Sequence, residues 1–333
     1  MLNRNEDGFG RLVLVDVDSG EAREVAKGVH GQLRWAGDRL VALRTGGRTP
    51  TQIVTYDLLS STGPWARTTL AVGPVGEWSA LETHLVEPEV HVVSTYQGAR
   101  VPMRAYRPAD AADRARQRMI CWVHGGPTDQ WQVTFMPRIS FWVSRGWTVI
   151  VPDHRGSTGH GREFQQSMNH RWGVADMQDV AACISYAHAL GLGSPSSTVL
   201  MGGSAGGYTA LNVLMTRPQL VAGAAVAYPV TDPVVLADAT HRFEAHYTDV
   251  LVDPAAPVVI DPSRMVRPVL MLHGDRDPVV PVSQSIDFER RARECGTDVE
   301  LHVYEGEGHG FRQPANQADE FARIEAFLAR IVP

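Results

Sequence analysis

The sequence predicts an α/β fold, a mostly parallel sheet with helices on both faces, preceded by a small all-β region. Three observations carry this. From about residue 84 onward, apolar runs of strand length alternate with amphipathic helical stretches, the order that lays helices over a parallel sheet. Residues 1–80 instead hold short apolar alternations broken by turn signals, as antiparallel strands do. Glycine-rich or charged segments follow several of the apolar runs, and in parallel sheets the carboxyl ends of the strands are where ligands bind.

Composition fits this class and excludes others. A chain of 333 residues allows one large domain or two ordinary ones. With 44% hydrophobic and 20% charged residues it builds a core and is not a disordered chain. A net charge of -6 without a long basic run argues against nucleic acid or anionic membrane as partner. No segment approaches the roughly 18 apolar residues of a membrane span. "MLNRNEDGFG" lacks a basic start followed by an apolar stretch, so no signal peptide is expected. Cys121, Cys183 and Cys295 are odd in number and far apart, which predicts free thiols and a cytoplasmic location.

In the first region, "RLVLVDVDSGEAREVA" is a strand, a D-S-G turn and a second strand, and "QIVTYDLLSSTGPWARTTLAV" repeats the plan. Asp16 and Asp57 end the two leading strands and set a period of 41 residues. "GQLRWAGDRLVALRT" fills the gap as a hairpin turning at Gly37-Asp38. A four-strand unit near that length is what a propeller blade looks like. About two blades cannot close a ring. Open strand edges make self-association into a homo-oligomer one expectation. In the second region, "HVVSTYQGARVPMRAYRP" reads as a hairpin. Strands follow at "MICWVHGG", "WTVIVPDHRG", "TVLMGGS", "VAGAAVAYPV", "VLMLHGD" and "VELHVYEGEGHG", with helices near 134–145, 175–190, 206–216, 282–295 and 316–331.

Gly202-Gly203-Ser204-Ala205-Gly206 fits G-x-S-x-G between a predicted strand and a predicted helix. That is the context of a nucleophile elbow in an α/β-hydrolase fold, where the serine sits on a strained turn at the open end of the sheet. A glycine-rich turn that cradles phosphate is the alternative. A serine hydroxyl needs a base and an orienting carboxylate, and in this fold they follow in the order acid, then histidine. "LMLHGDRDPVVP" supplies Asp275 and Asp277, and "VYEGEGHGF" supplies His309. "WVHGGPTDQW" after an earlier strand has the form of an oxyanion loop, and the N–H of Ala205 would be the second donor.

These segments together resemble the prolyl oligopeptidase family of serine peptidases, its acylaminoacyl-peptidase and dipeptidyl-peptidase branches in particular. The motifs are "HGGP" at 124–127, "RGSTGHGREF" at 155–164, "WGVADMQD" at 172–179, "GGSAGGY" at 202–208, "HGDRDPVVP" at 273–281 and "GEGHGF" at 306–311. The resemblance implies a hydrolase domain over 84–333 and, over 1–80, the end of the propeller that precedes it. It implies Ser204 as nucleophile, His309 as general base, Asp277 rather than Asp275 as the orienting acid, and the backbones of Gly126 and Ala205 as oxyanion donors. Val280 matches a residue of the primary specificity pocket. Trp131, Phe243 and Tyr247 are expected to pack in the core, with the pocket as their alternative place.

Val279 stands where several members of that family carry an arginine or asparagine that holds a substrate carbonyl. No tyrosine stands near His124, where some branches of that family carry a tyrosine oxyanion donor. "RGSTGHGREF" contains Arg155, His160 and Arg162; either charge pairs pin this loop, or Arg155 or Arg162 binds a substrate carboxylate. His241 and His246 lack a zinc spacing, and no metal or cofactor is expected. The leading expectation is a serine peptidase that cleaves short peptides or acylated amino acids through an acyl-enzyme. An esterase on the same scaffold is the alternative, and a non-catalytic interaction module is a more remote one.

Overall fold

The computed structural model describes the chain apart from residues 59–64, 74, 76–83, 96–97, 240–245 and 333. The expected boundary near 80–84 thus falls largely outside the described residues. The N-terminal region forms two antiparallel sheets. One holds β1 (Leu2–Glu6), β2 (Phe9–Val15) and β3 (Ala22–Lys27), and the other holds β4 (Val29–Ala36), β5 (Arg39–Gly46), β6 (Thr49–Asp57) and β7 (Arg67–Val72). The turn signals act as read: Asp16 accepts from the amides of Asp18 and Ser19, and the β4–β5 hairpin pairs Ala36 with Arg39 around Gly37-Asp38.

The expected 41-residue unit is displaced, however. It would join β2 and β3 to β4 and β5. Instead Gly28, at φ 124°, interrupts the extended run, so β4 leaves the sheet of β3 and starts a new one. The partner that β2 still needs is β1, a charged, exposed strand with no apolar alternation to announce it. The four-stranded, blade-like unit is therefore β4–β7.

The second region forms one sheet in the order β15-β14-β13-β12-β10-β11-β9-β8. Its strands are β8 (Glu89–Ser94), β9 (Arg100–Tyr106), β10 (Met119–Val123), β11 (Thr148–Pro152), β12 (Thr198–Gly203), β13 (Gly223–Ala227), β14 (Val269–Gly274) and β15 (Val299–Tyr304). The run from β11 to β15 is parallel, while β8 and β9 form the antiparallel hairpin expected at its start. Helices connect the strands: α1 (Ala111–Ala115), α2 (Pro137–Val143), α3 (Arg162–Gln166), α4 (Ala175–Ala189), α5 (Ala205–Thr216), α6 (Pro233–Ala239), α7 (Tyr247–Leu251), α8 (Ser283–Glu294) and α9 (Pro314–Ile331).

Strand β10 shows why both faces are covered. All five of its residues are buried. Met119, Cys121 and Val123 join the core under α4 and α5, and Ile120 and Trp122 join the core under α2 and α9, as the period-2 alternation of a strand requires. Burial pushes the Cys121 and Cys183 thiols up, so neither is a ready nucleophile, whereas Cys295 is exposed. Among the described residues no helix is long and apolar enough to cross a membrane.

After β11 the chain crosses back over β10 to form β12, which opens a crevice at the carboxyl ends of β10 and β12. The loop after β10 and the turn after β12 meet there, since Val123 pairs with Gly202. The "RGSTGHG" segment supports this region from behind. Arg155 forms a buried ion pair with Asp179 at 2.8 Å. His160 and Gln130 bond to Asp153, which also holds the fully buried Arg104. Arg104 reaches the Asp7 carbonyl and Asn5 reaches Gln130, so this network fastens the first sheet to the second region. Removing one member of a buried pair leaves the other charge unpaired and costs about 3–5 kcal/mol. Asp179→Ala should therefore lower the unfolding free energy by about that much in urea. A loss under about 1 kcal/mol, the worth of an exposed pair, would contradict a dry Arg155.

Candidate active site

Ser204 occupies the turn between β12 and α5 at φ 56°, ψ -126°, a left-handed conformation that a side chain adopts only under constraint. Its glycine neighbours are needed for close approach. A Cβ on Gly202 would lie 2.4 Å from the Gly206 carbonyl oxygen, and one on Gly206 would lie 2.3 Å from that of Val123. The strand can thus fold back on its own helix, and the helix can press against β10, only because both positions lack a side chain. Ser204 caps α5, so its hydroxyl stands at the positive end of the helix dipole.

The two remaining motif loops follow β14 and β15. His309 Nδ1 lies 2.7 Å from Asp277 Oδ2. The other carboxylate oxygen accepts from the amides of Val279 and Val280, at 2.8 and 3.0 Å. Burial opposes ionisation of Asp277, yet hydrogen bonds from His273 and His309 and the Val279 amide hold its carboxyl well below the usual carboxylate range. It therefore stays anionic wherever a histidine ordinarily titrates. The stability its charge confers is present above the ordinary carboxylate pKa and is lost as pH falls toward the lowered one. Asp275 is exposed and accepts from the Gly306 amide. No hydrogen bond joins the Ser204 hydroxyl to His309 among the described residues. The two share the wall of one cleft, and such bonds often tighten only with substrate present.

Gly125 and Gly126 bring the β10 loop against the elbow, with the Gly125 Cβ position 3.7 Å from Ser204 Cβ. Gly126 has φ 121°, and its carbonyl accepts from the Tyr247 hydroxyl, which ties the loop to α7. Among the described residues the N–H groups of Gly126 and Ala205 have no acceptor, and both residues border the small pocket that starts at Ser204.

Among the described residues a narrow and a larger cavity adjoin Ser204. The narrow one is lined by Trp172, Val230, Leu236, Tyr247 and Val280. The larger cleft, of about 400 Å³, contains His309, Tyr228 and Trp131. Of the pocket candidates, Val280 and Tyr247 thus line the first, and Trp131 lines the second while packing edge-on against Trp122 at 5.4 Å. Phe243 and His241 lie outside the described residues. His246 is exposed beside Asp249. Arg155 and His160 are taken up by their own loop, as described above, and Arg162 is exposed in a separate groove with Thr128 and Tyr247.

Several site residues were not anticipated. Tyr228, at φ 38°, places its ring 4.5 Å from that of His309. A Tyr-Pro step at the end of a strand was the available signal. Glu307 is 2% exposed and accepts from the amides of Arg312 and Gln313 and from Asn316, which anchors the loop that carries His309 to the start of α9.

The chain is similar to known proteins in sequence and in fold. Residues 133–332 match the model of the prolyl oligopeptidase family. The chain is 28% identical to dipeptidyl peptidase family member 6 of Caenorhabditis elegans over 64% of its own length and 31% of the relative's. It is 26% identical to the acylamino-acid-releasing enzyme of Arabidopsis thaliana over 70% of its own length and 33% of the relative's. Among solved structures, a puromycin-hydrolyzing peptidase of Mycobacterium tuberculosis superposes with TM-score 0.86 at 25% identity, covering 97% of this chain and 51% of that one. A puromycin hydrolase does so with TM-score 0.84 at 28% identity, over the same shares. The chain spans about a third of the length of these curated relatives and about half that of the solved ones. With more than half of its residues matched by the family model and the fold shared throughout, the chain belongs to the prolyl oligopeptidase family.

Proposed function

We propose that the protein is a serine peptidase that cleaves short peptides or acylated amino acids through an acyl-enzyme. The observation that carries this is the strained Ser204 elbow sharing one cleft with a histidine that Asp277 holds at 2.7 Å. Ser204 attacks the scissile carbonyl, His309 takes its proton and passes it to the leaving amine, and Asp277 fixes the imidazole and stabilises its cation. The amides of Gly126 and Ala205 meet the oxyanion, where each such donor is worth about 2.7–4 kcal/mol. Val280 and its neighbours receive the side chain before the scissile bond. The relatives' names, dipeptidyl peptidase and acylamino-acid-releasing enzyme, fit a peptide substrate. Free cysteines fit a reducing compartment.

One feature favours an esterase as the second reading. Val279 borders both cavities in place of a polar clamp for a peptide carbonyl, and substrates that need less positioning lose less from that. The test is a matched pair, an N-acetylated amino-acid anilide and the corresponding activated ester. Release of the anilide with kcat/KM within about 10³-fold of the ester, roughly 4 kcal/mol, supports the peptidase. Ester turnover with no detectable anilide release supports the esterase.

A further inference from the structure

The cleft that holds His309 also contains an ion pair that the chemistry at Ser204 does not use. Arg138 of α2 donates to both carboxylate oxygens of Glu320 of α9, at 2.8 and 3.1 Å, and both residues line the cleft. Their exposures differ sharply, 43% for the Arg138 side chain against 6% for Glu320. The Arg138 guanidinium also lies over the Phe321 ring, 5.3 Å from its centroid, and the two parallel bonds to Glu320 orient it. A guanidinium has five N–H donors, and Glu320 takes two of them. Among the described residues no other acceptor bonds to Arg138.

We propose that Arg138, braced by Glu320, is the subsite that binds the terminal carboxylate of a short leaving peptide. This rests on the reading of Ser204 and His309 given above. The histidine hands its proton to the leaving amine, so the leaving group lies on the His309 side. The pocket of Val230 and Val280 does not include His309, whereas the cleft of Arg138 does. Tyr228 links the two ends of that cleft. Its ring lies tilted against that of His309, at 4.5 Å, and its half-buried phenol is pushed up by desolvation, with Glu320 adding to the effect.

The identity of the ligand follows from which charge is reachable. Each Glu320 oxygen already accepts from Arg138 and the side chain is nearly covered, which keeps a substrate ammonium group from reaching it. Arg138 is half exposed, planar and held by a carboxylate, and its free N–H groups suit a second carboxylate. Asp129, another charged side chain on the same wall, is exposed and its repulsion is screened by solvent.

The experiment compares N-acetyl-trialanine with its C-terminal amide on the full chain. The free acid should have a kcat/KM about 10- to 100-fold higher, the range expected for hydrogen bonds to a charged group. Arg138→Gln should remove that preference, chiefly through KM, and Arg138→Lys should keep part of it. A purely structural pair would lower the melting temperature in Arg138→Gln and leave the acid-to-amide ratio unchanged, which would overturn the proposal, as would equal turnover of the two substrates by the unmodified protein. Affinities of dialanine and its amide for Ser204→Ala, measured by calorimetry, read the subsite without turnover. Equal affinities overturn it whatever the role of the serine. Loss of all hydrolysis and of covalent labelling at Ser204, with dialanine still preferred over its amide, would sink the peptidase reading and leave the subsite standing.

Discussion

Ser204→Ala and His309→Ala should each lower kcat at least about 10³-fold, and the double variant should lower it little further. The reason is that the histidine acts through the serine. Once the hydroxyl is gone, a base beside it has no proton to take, and once the base is gone, the hydroxyl stays protonated and inert. Residual turnover in all three variants would come from substrate binding and the amides of Gly126 and Ala205. The measurement is kcat for the three variants on one activated ester, with circular dichroism to show that the fold is kept. Multiplicative losses would mean that the two residues act independently, and the assignment of His309 as the base of Ser204 would fall.

The second large effect separates two aspartates of one loop. Asp277→Asn should reduce kcat on the order of 10⁴-fold, the scale seen when a triad acid becomes an amide. Asp275→Asn should change it by less than about tenfold. Asp277 is buried against His309 and accepts two backbone amides on its other oxygen. An asparagine there can keep the amide contacts, but it offers the ring a weaker acceptor or a donor and so favours the wrong tautomer. Asp275 is exposed and only tethers Gly306. A greater loss from Asp275→Asn would show that the orienting carboxylate has been misassigned.

The parts of this molecule that were legible in the sequence are those encoded locally. The buried strands announce themselves as apolar runs, and "GGSAGG" marks a turn because close backbone approach excludes any other residue at Gly202 and Gly206. Ser204, Asp277 and His309 each lie in the turn or loop that follows a strand, so the order of motifs along the chain already placed them at one edge of the sheet. What was not legible depends on contacts between distant segments. Arg138 and Glu320 are 182 residues apart, and each alone is an ordinary charged residue of an amphipathic helix. Glu307 looks like one more acid in a polar loop until the start of α9 folds over it. Tyr228 closes a strand whose neighbours are alanine and valine, and only the return of the β15 loop sets a histidine on its ring. The blade frame slipped for a related reason: a single glycine between β3 and β4 decides which sheet a strand joins, and periodicity is blind to it.

The central claim is that Ser204 is a nucleophile activated by its surroundings, and covalent capture tests it most directly. Incubation with a fluorophosphonate should add one equivalent to the intact mass of the protein, and peptide mapping should place the adduct on Ser204. The adduct should be absent from Ser204→Ala and form at least about 10³-fold more slowly in His309→Ala. A protein that takes up no label, or takes it up at another residue with Ser204 untouched, would contradict the account.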